Sequence, residues 1–421
     1  MSRAHFAWLP VAAYVLGCGA HDFQARVNTL VARGAYAEAV TATRREPELE
    51  KALASAVLKQ AARSNDAERR RRAFAELQLA GTRGRSVLQD LTRSSEPVTR
   101  ALAYSALWSL GDSTARDALA PLATDADPEL AALGYSALDA DADRPLLMAA
   151  LTEPNHARRS AAVRVLGKAE AEPEIQTALE SVAKLDPEAD VRAAAVAALG
   201  RYGAGAEPAL VRALDDAAES VRFSAIAALT HVASESALAR LARDLGAAPT
   251  PETLTAAASL LRLTPPREVD RARGVLERAL SSAEVGLRAQ AAVLCRTLRE
   301  PGCPASVLRD RLRQEPRAEI KLLVALAIGP DDPLAKSALG RLAENSSPVA
   351  VEADAELALL GDPGARQRLV RALGASEARV RIGAVRAFGR IGTRDAAVAQ
   401  RLGDSDERVR TAAAAAVLRA G

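Results

Sequence analysis

The sequence predicts an all-α chain built of about eleven stacked helical hairpins. Three observations lead there. One motif recurs past residue 80, its copies 28 to 33 residues apart, which is the length of two helices and two turns. Hydrophobic residues make up 49% of the chain but aromatics only 3%, so the core is Ala and Leu, small enough for helices to approach closely. β-branched alternation and Asn-Gly or Asp-Gly hairpin turns are almost absent, which argues against a sheet. A chain of 421 residues also exceeds what one compact core usually organises, whereas a repeat array grows lengthwise without enlarging its core.

The motif is clearest at Asp190 to Gly200, Ser220 to Leu229, Arg379 to Gly389 and Arg408 to Val417. An aliphatic anchor, usually followed by Arg, falls at Val98, Leu130, Val191, Val221, Leu254, Leu287, Ile320, Val351, Val380 and Val409. Counted from Val221, residues Ala225, Ala228 and Leu229 share one helical stripe. That stripe is expected to bury itself against the repeat's first helix and the next hairpin. A lone hairpin cannot bury enough surface, so the copies must stack. Pro and Gly mark the joints, as at Pro187, Gly203, Pro208, Gly302, Pro333, Gly361 and Pro363.

This pattern of Asp, then Val-Arg, then Ala-Leu-Gly resembles HEAT repeats, in particular the phycobilin-lyase-type HEAT-like repeats, over residues 81–421. The resemblance implies a right-handed α-α superhelix, a HEAT/armadillo-like solenoid. It also implies a structural ladder between hairpin turns, built from Asp186 with Arg192, Asp216 with Arg222, and Asp404 with Arg410, the Asp also capping the second helix. The pattern is degenerate in places: Ala131 follows Asp125 where Arg is expected, and Ala375 precedes Arg381 where Asp is expected. Arg158 replaces the anchor of the third repeat. With Arg159 and Arg164 it reads as a local irregularity, or as a contact for an acidic partner.

Residues 18–80 do not keep the period and read as an N-terminal helical cap over the open end of the stack. Within it, Leu30 to Ala39 resembles the first half of a tetratricopeptide hairpin, with Gly34 and Tyr36 at the expected places. Residues 1–17 read as a signal peptide. Arg3 precedes an apolar stretch from Phe6 to Leu16, too short to span a bilayer as a mature helix. The stretch ends in Val15-Leu16-Gly17-Cys18, which resembles the lipobox of bacterial lipoproteins and implies that Cys18 is lipidated. A plain secretory signal, an uncleaved anchor and a chance apolar start of a cytosolic chain are the other readings. With Cys18 set aside, Cys295 and Cys303 are a possible disulfide in an oxidising compartment, or two inert thiols.

No catalytic constellation is present: no Walker loop, dinucleotide fingerprint, Gly-x-Ser-x-Gly elbow or His-Glu-x-x-His. No metal site and no cofactor are expected, since the four His (His5, His21, His156, His231) lie far apart in sequence. Net charge is +3, with 56 basic and 53 acidic residues interspersed, an ordinary solvated surface rather than a nucleic-acid footprint. Aromatics that could stack on bases are too few. Three of them, Tyr104, Trp108 and Tyr135, fall close together on adjacent second helices, the concave side in this family. They are candidate partner-binding residues, or core filling near the cap. The expectation is a lipid-anchored extracytoplasmic scaffold in a bacterial cell envelope that binds protein partners and is not an enzyme. A cytosolic chain with a lyase-like or chromophore-modifying role is the alternative, and a nucleic-acid-binding solenoid the third reading.

Overall fold

The computed structural model describes residues 23–43, 46–246, 248–298 and 302–420. Cys18 and the lipobox lie outside them. The described residues are helical with no strand. In chain order the helices are α1 (23–32), α2 (Tyr36–Thr43), α3 (Pro47–Ala62), α4 (Ala67–Ala80), α5 (Arg85–Leu91) and α6 (Pro97–Ser109). Then come α7 (Ala115–Leu119), α8 (Pro128–Tyr135), α9 (Arg144–Ala150), α10 (His156–Leu166), α11 (Pro173–Leu185), α12 (Ala189–Leu199), α13 (Glu207–Ala213) and α14 (Glu219–Val232). They are followed by α15 (Glu235–Ala242), α16 (Pro251–Arg262), α17 (Val269–Leu280), α18 (Val285–Leu298), α19 (Ala305–Gln314), α20 (Ala318–Ile328) and α21 (Pro333–Leu342). The last are α22 (Pro348–Leu359), α23 (Pro363–Ala372), α24 (Ala378–Ile391), α25 (Ala396–Gln400) and α26 (Glu407–Ala420). The chain forms two compact units, residues 113–342 and residues 1–112 with 343–421.

In the unit of residues 113–342 the second helices of successive hairpins stack into one layer, α8, α10, α12, α14, α16, α18 and α20, each against the next. First helices such as α11, α13 and α15 pack beside one another on the other side. The predicted stripe is where burial is most complete: Val221, Ala225 and Leu229 are shut off from solvent and Ala228 nearly so. The Gly that closes the Ala-Leu-Gly motif has a packing reason. A Cβ on Gly167 would sit 2.8 Å from the Ala198 side chain, and one on Gly200 would sit 3.1 Å from the Ala228 backbone. Gly167 therefore admits the next second helix at a distance that Ala would not allow without a shift, and Gly200 at one that Ala would make tight.

The other unit holds both ends of the described chain. Its C-terminal part stacks α22 on α24 and α24 on α26. The stack does not end there. The hairpin α3–α4 packs on the far side of α26, and α5–α6 packs on α3–α4 in turn. Residues 36–80 thus stand where a further repeat after α26 would stand. The sequence of α26 shows the physical reason. A terminal solenoid helix needs a polar outer face, but Ala412 to Ala416 run as five consecutive Ala, all buried. A helix that is apolar all round must be covered on all sides.

Two measurements test these packing claims. Val221→Asp places an unpaired charge in the stack and should destabilise the protein by a few kcal/mol in thermal or urea unfolding. Single Leu substitutions at Ala412, Ala413, Ala414 and Ala415 step around α26 by a helical rotation each. If α26 is covered on every side, each should cost about 1–3 kcal/mol through overpacking. A free terminal helix would accept at least one of them without loss.

Candidate functional site

The most regular chemistry in the chain is an arginine fork between hairpin turns. The Arg after the anchor sits in the first turn of the second helix and reaches back over its own hairpin turn. Arg192 Nη1 donates to the carbonyls of Asp186 and Pro187, at 2.9 and 3.1 Å. The same pair of bonds, to the carbonyls six and five residues earlier, recurs at Arg100, Arg159, Arg222, Arg288, Arg381 and Arg410. The other edge of the guanidinium reaches forward to a carboxylate in the next turn. Arg159 holds Asp186 at 2.7 and 2.9 Å, Arg192 holds Asp216 at 2.9 and 2.9 Å, and Arg381 holds Asp404 at 2.9 and 2.8 Å. Arg288 holds Glu315 in the same way, and Arg222 directs both Nε and Nη2 at one oxygen, Oε1, of Glu252. A planar fork that bonds a carboxylate in bidentate fashion fixes distance and orientation together.

This corrects the expected ladder in two respects. Asp186 and Arg192, Asp216 and Arg222, and Asp404 and Arg410 do meet, but through the Asp main-chain carbonyl; the Asp side chains pair with the arginine of the preceding repeat, and Arg192 and Arg222 with an acid of the next. Ala375 is consequently tolerated, because Arg381 needs only its carbonyl. Nor does the Asp side chain cap the second helix: Asp186, Asp216 and Asp404 accept from the N–H two residues on, at Glu188, Ala218 and Asp406, and so hold the turn. Arg158 is the predicted irregularity. Its head turns back to the Asp125 carbonyl, whereas Arg159 is the ladder residue of that repeat.

Burial would raise the carboxyl pKa of Asp186, but the Arg159 bonds and the Glu188 N–H outweigh it and the net shift is downward. Asp216 is lowered chiefly by its bonds to Arg192. At Glu315 burial again works upward and is overcome by bonds from Arg288 and Arg311, so the pKa falls.

The remaining candidates are scattered. Tyr104 and Trp108 lie half-buried on α6 in the unit of residues 1–112 and 343–421. Tyr135 ends α8 in the other unit and is 2% exposed, its phenol pKa raised by burial, so it fills core and is not a surface for a partner. Cys295 and Cys303 are joined as a disulfide, Cα atoms 5.4 Å apart, fastening the end of α18 to the turn before α19. Among the described residues no cluster of His, Cys, Asp or Glu could hold a metal ion, and no helix is long and apolar enough to cross a membrane.

One site escaped the sequence. Where α3 meets α26, Tyr36, Gln60, Arg63, Ser64, Arg69, Glu407, Arg410 and Thr411 line a cleft of about 350 Å³. Arg410 is the last ladder arginine, and the residue opposite its forward edge belongs to the N-terminal hairpin. The equivalent turn position, six residues before Arg70, is Ser64 rather than an acid. No carboxylate among the described residues takes the fork. Its Nε is buried without a hydrogen-bond partner, and the Tyr36 ring lies over the guanidinium at 4.0 Å.

The repeat spacing, the stacked hairpins and the fork can now be set beside known proteins. The family described as HEAT repeats matches residues 175–262 and 336–419. These two segments of the chain are HEAT repeats. The matched segments contain the rungs Arg192–Asp216, Arg222–Glu252 and Arg381–Asp404. No functionally curated protein matches the chain in sequence. Among solved structures, the X-ray structure of YibA from Escherichia coli is 18% identical, with a TM-score of 0.33 over 65% of this chain and 92% of that one. A chain of the Kap95:Nup1 complex is 14% identical, with a TM-score of 0.40 over 88% of this chain and 64% of that one.

The HEAT-repeat forks predict both a mutational and a pH response. Arg159→Ala leaves Asp186 buried without its partner and should cost about 3 kcal/mol in urea unfolding. The lowered carboxyl pKa values of Asp186, Asp216 and Glu315 mean that the unfolded chain binds more protons than the folded one in the acid range. Their contribution is full above the unfolded carboxylate pKa, near 4, and is lost as pH falls through the folded values. The urea midpoint should therefore hold between about pH 8 and 5 and drop below about pH 4, and Arg159→Ala should flatten that drop.

Proposed function

We propose that this protein is a lipid-anchored extracytoplasmic scaffold that binds protein partners through the exposed surface of its helical layers, and that it does no catalysis of its own. A HEAT-repeat solenoid is suited to protein interaction because each repeat adds area without needing a new core. The observation that carries this reading is the fate of the conspicuous charged motif. The arginines and acids that might have formed a reactive cluster are occupied in holding turn to turn. What remains for function is surface, and Trp108 with Tyr104, half-buried on one face of α6, is the aromatic anchor point it offers.

The location rests on two residues sets far apart in sequence. Val15-Leu16-Gly17-Cys18 has the form of a lipidation site. The Cys295–Cys303 disulfide suits an oxidising compartment outside the cytoplasm, where such bonds persist.

Metabolic labelling with palmitate should mark the mature protein, and Cys18→Ala should abolish both the label and membrane association; an unlabelled wild type would remove the anchor. For the scaffold, a photo-crosslinking residue placed at Tyr104 should trap a discrete protein in the native host. Trp108→Ala should reduce that adduct about tenfold, as for a hot-spot aromatic. Recovery of a bound chromophore or nucleic acid in place of protein would refute the scaffold.

A further inference from the structure

We infer that the cleft between α3 and α26 is a binding site for a carboxylate, supplied by an acidic segment of a protein partner. At five of the seven arginines with the backward bonds, the forward edge takes a carboxylate: Asp186, Asp216, Glu252, Glu315 and Asp404. Arg410 has the same backward bonds to its own turn, to the carbonyls of Asp404 and Ser405 at 2.7 and 3.0 Å, so its guanidinium is held in the same attitude. Its Nε is shut off from solvent without a partner, so Nη2, which has no acceptor among the described residues, is the edge a ligand would meet. The chain supplies Ser64 where the sixth carboxylate would come, and Ser64 lines the cleft with Arg410.

The rest of the lining points to the same ligand. Arg63 closes α3 and makes no side-chain bond among the described residues, so its charge is available to the cleft. Tyr36 donates its hydroxyl to Gln60 Oε1, which orients that amide with Nε2 free to donate. The Tyr36 ring lies against the Arg410 guanidinium, its centroid 4.0 Å from Cζ. The carboxylate in the lining, Glu407, is already held by Arg69 at 3.2 Å. Three guanidiniums and one carboxylate leave the cleft with a net charge of +2. About 350 Å³ is room for one or two acidic side chains.

The protein source of the carboxylate rests on the scaffold reading; the site's chemistry does not. The probes are a tetraglutamate peptide and free glutarate, titrated calorimetrically against the full chain at low salt. Tetraglutamate should bind, more tightly than glutarate, and weaken as salt is raised. Arg63→Ala should weaken it about tenfold. Arg63→Lys should restore much of the loss, and Arg212→Ala, an exposed arginine on α13, should change nothing. Arg63 is outside the ladder, so its variants are expected to fold; equal melting temperatures would verify this. Glutarate binding as tightly as the peptide would uphold the site and overturn the protein source. No binding of either probe, or equal affinity of Arg63→Ala and wild type, would overturn the site. A chain that still crosslinks a partner through Tyr104 while ignoring both probes would lose this site and keep the scaffold.

Discussion

The arginine fork across the hairpin turns is the constraint on which the stacking register depends. Apolar stripes of Ala and Leu drive helices together, but they are forgiving: one Ala-lined ridge slides over another at little cost. The fork is not forgiving. A guanidinium such as Arg192 is fixed by two carbonyls of its own turn and bonds both oxygens of Asp216, so a shift between repeats breaks two charge-assisted bonds at once. Buried pairs of this kind add little net stability over an apolar replacement, because desolvation offsets their attraction. Their contribution here is to geometry. The Ala and Leu stripes supply the driving force, and the forks select one offset between neighbouring hairpins.

The same logic explains where the motif is allowed to decay. The backward half of the fork uses main-chain oxygens, so the side chain six residues before the Arg is free to vary; Ala375 and Ser94 both serve. The forward half needs a carboxylate of any reach, so Glu252 and Glu315 replace Asp without loss of the rung. Position 158 carries an arginine in place of the aliphatic anchor, and the side chain donates to the Asp125 carbonyl and pairs with Glu153 at 3.5 Å instead of breaking the hairpin. Degeneracy in the sequence is thus ordinary redundancy in the bonding.

The join between the chain's two ends inside one unit follows other rules. There α26 meets a hairpin that is not a HEAT copy. Apolar contact does most of the work through the Ala412 to Ala416 run, with charged pairs at the margin: Arg394 with Glu50 at 2.6 Å, Arg386 with Glu76 at 3.0 Å, and Arg69 with Glu407 at 3.2 Å. Glu50 and Glu76 are both buried, so these pairs specify partner and angle as the forks do elsewhere. The break in the repeat code at Ser64 leaves Arg410 short of its carboxylate, and an irregular joint becomes the most distinctive cleft chemistry of the unit.

The sequence by itself determined the repeat, its period, the buried stripe from Val221 to Leu229 and the all-helical class, because helical periodicity and loop spacing are local properties that tertiary context did not override. The tertiary structure decided which arginine meets which acid. Spacing along the chain suggested Asp186 with Arg192, but a side-chain bond across a turn depends on the offset between hairpins, and that offset put Arg192 on Asp216 and left Asp186 to Arg159. It decided that Tyr135 is core while Tyr104 and Trp108 keep a partly open face, since burial depends on neighbours that periodicity does not locate. It also decided that residues 36–80 meet α26, a contact between segments more than three hundred residues apart that leaves no trace in local pattern.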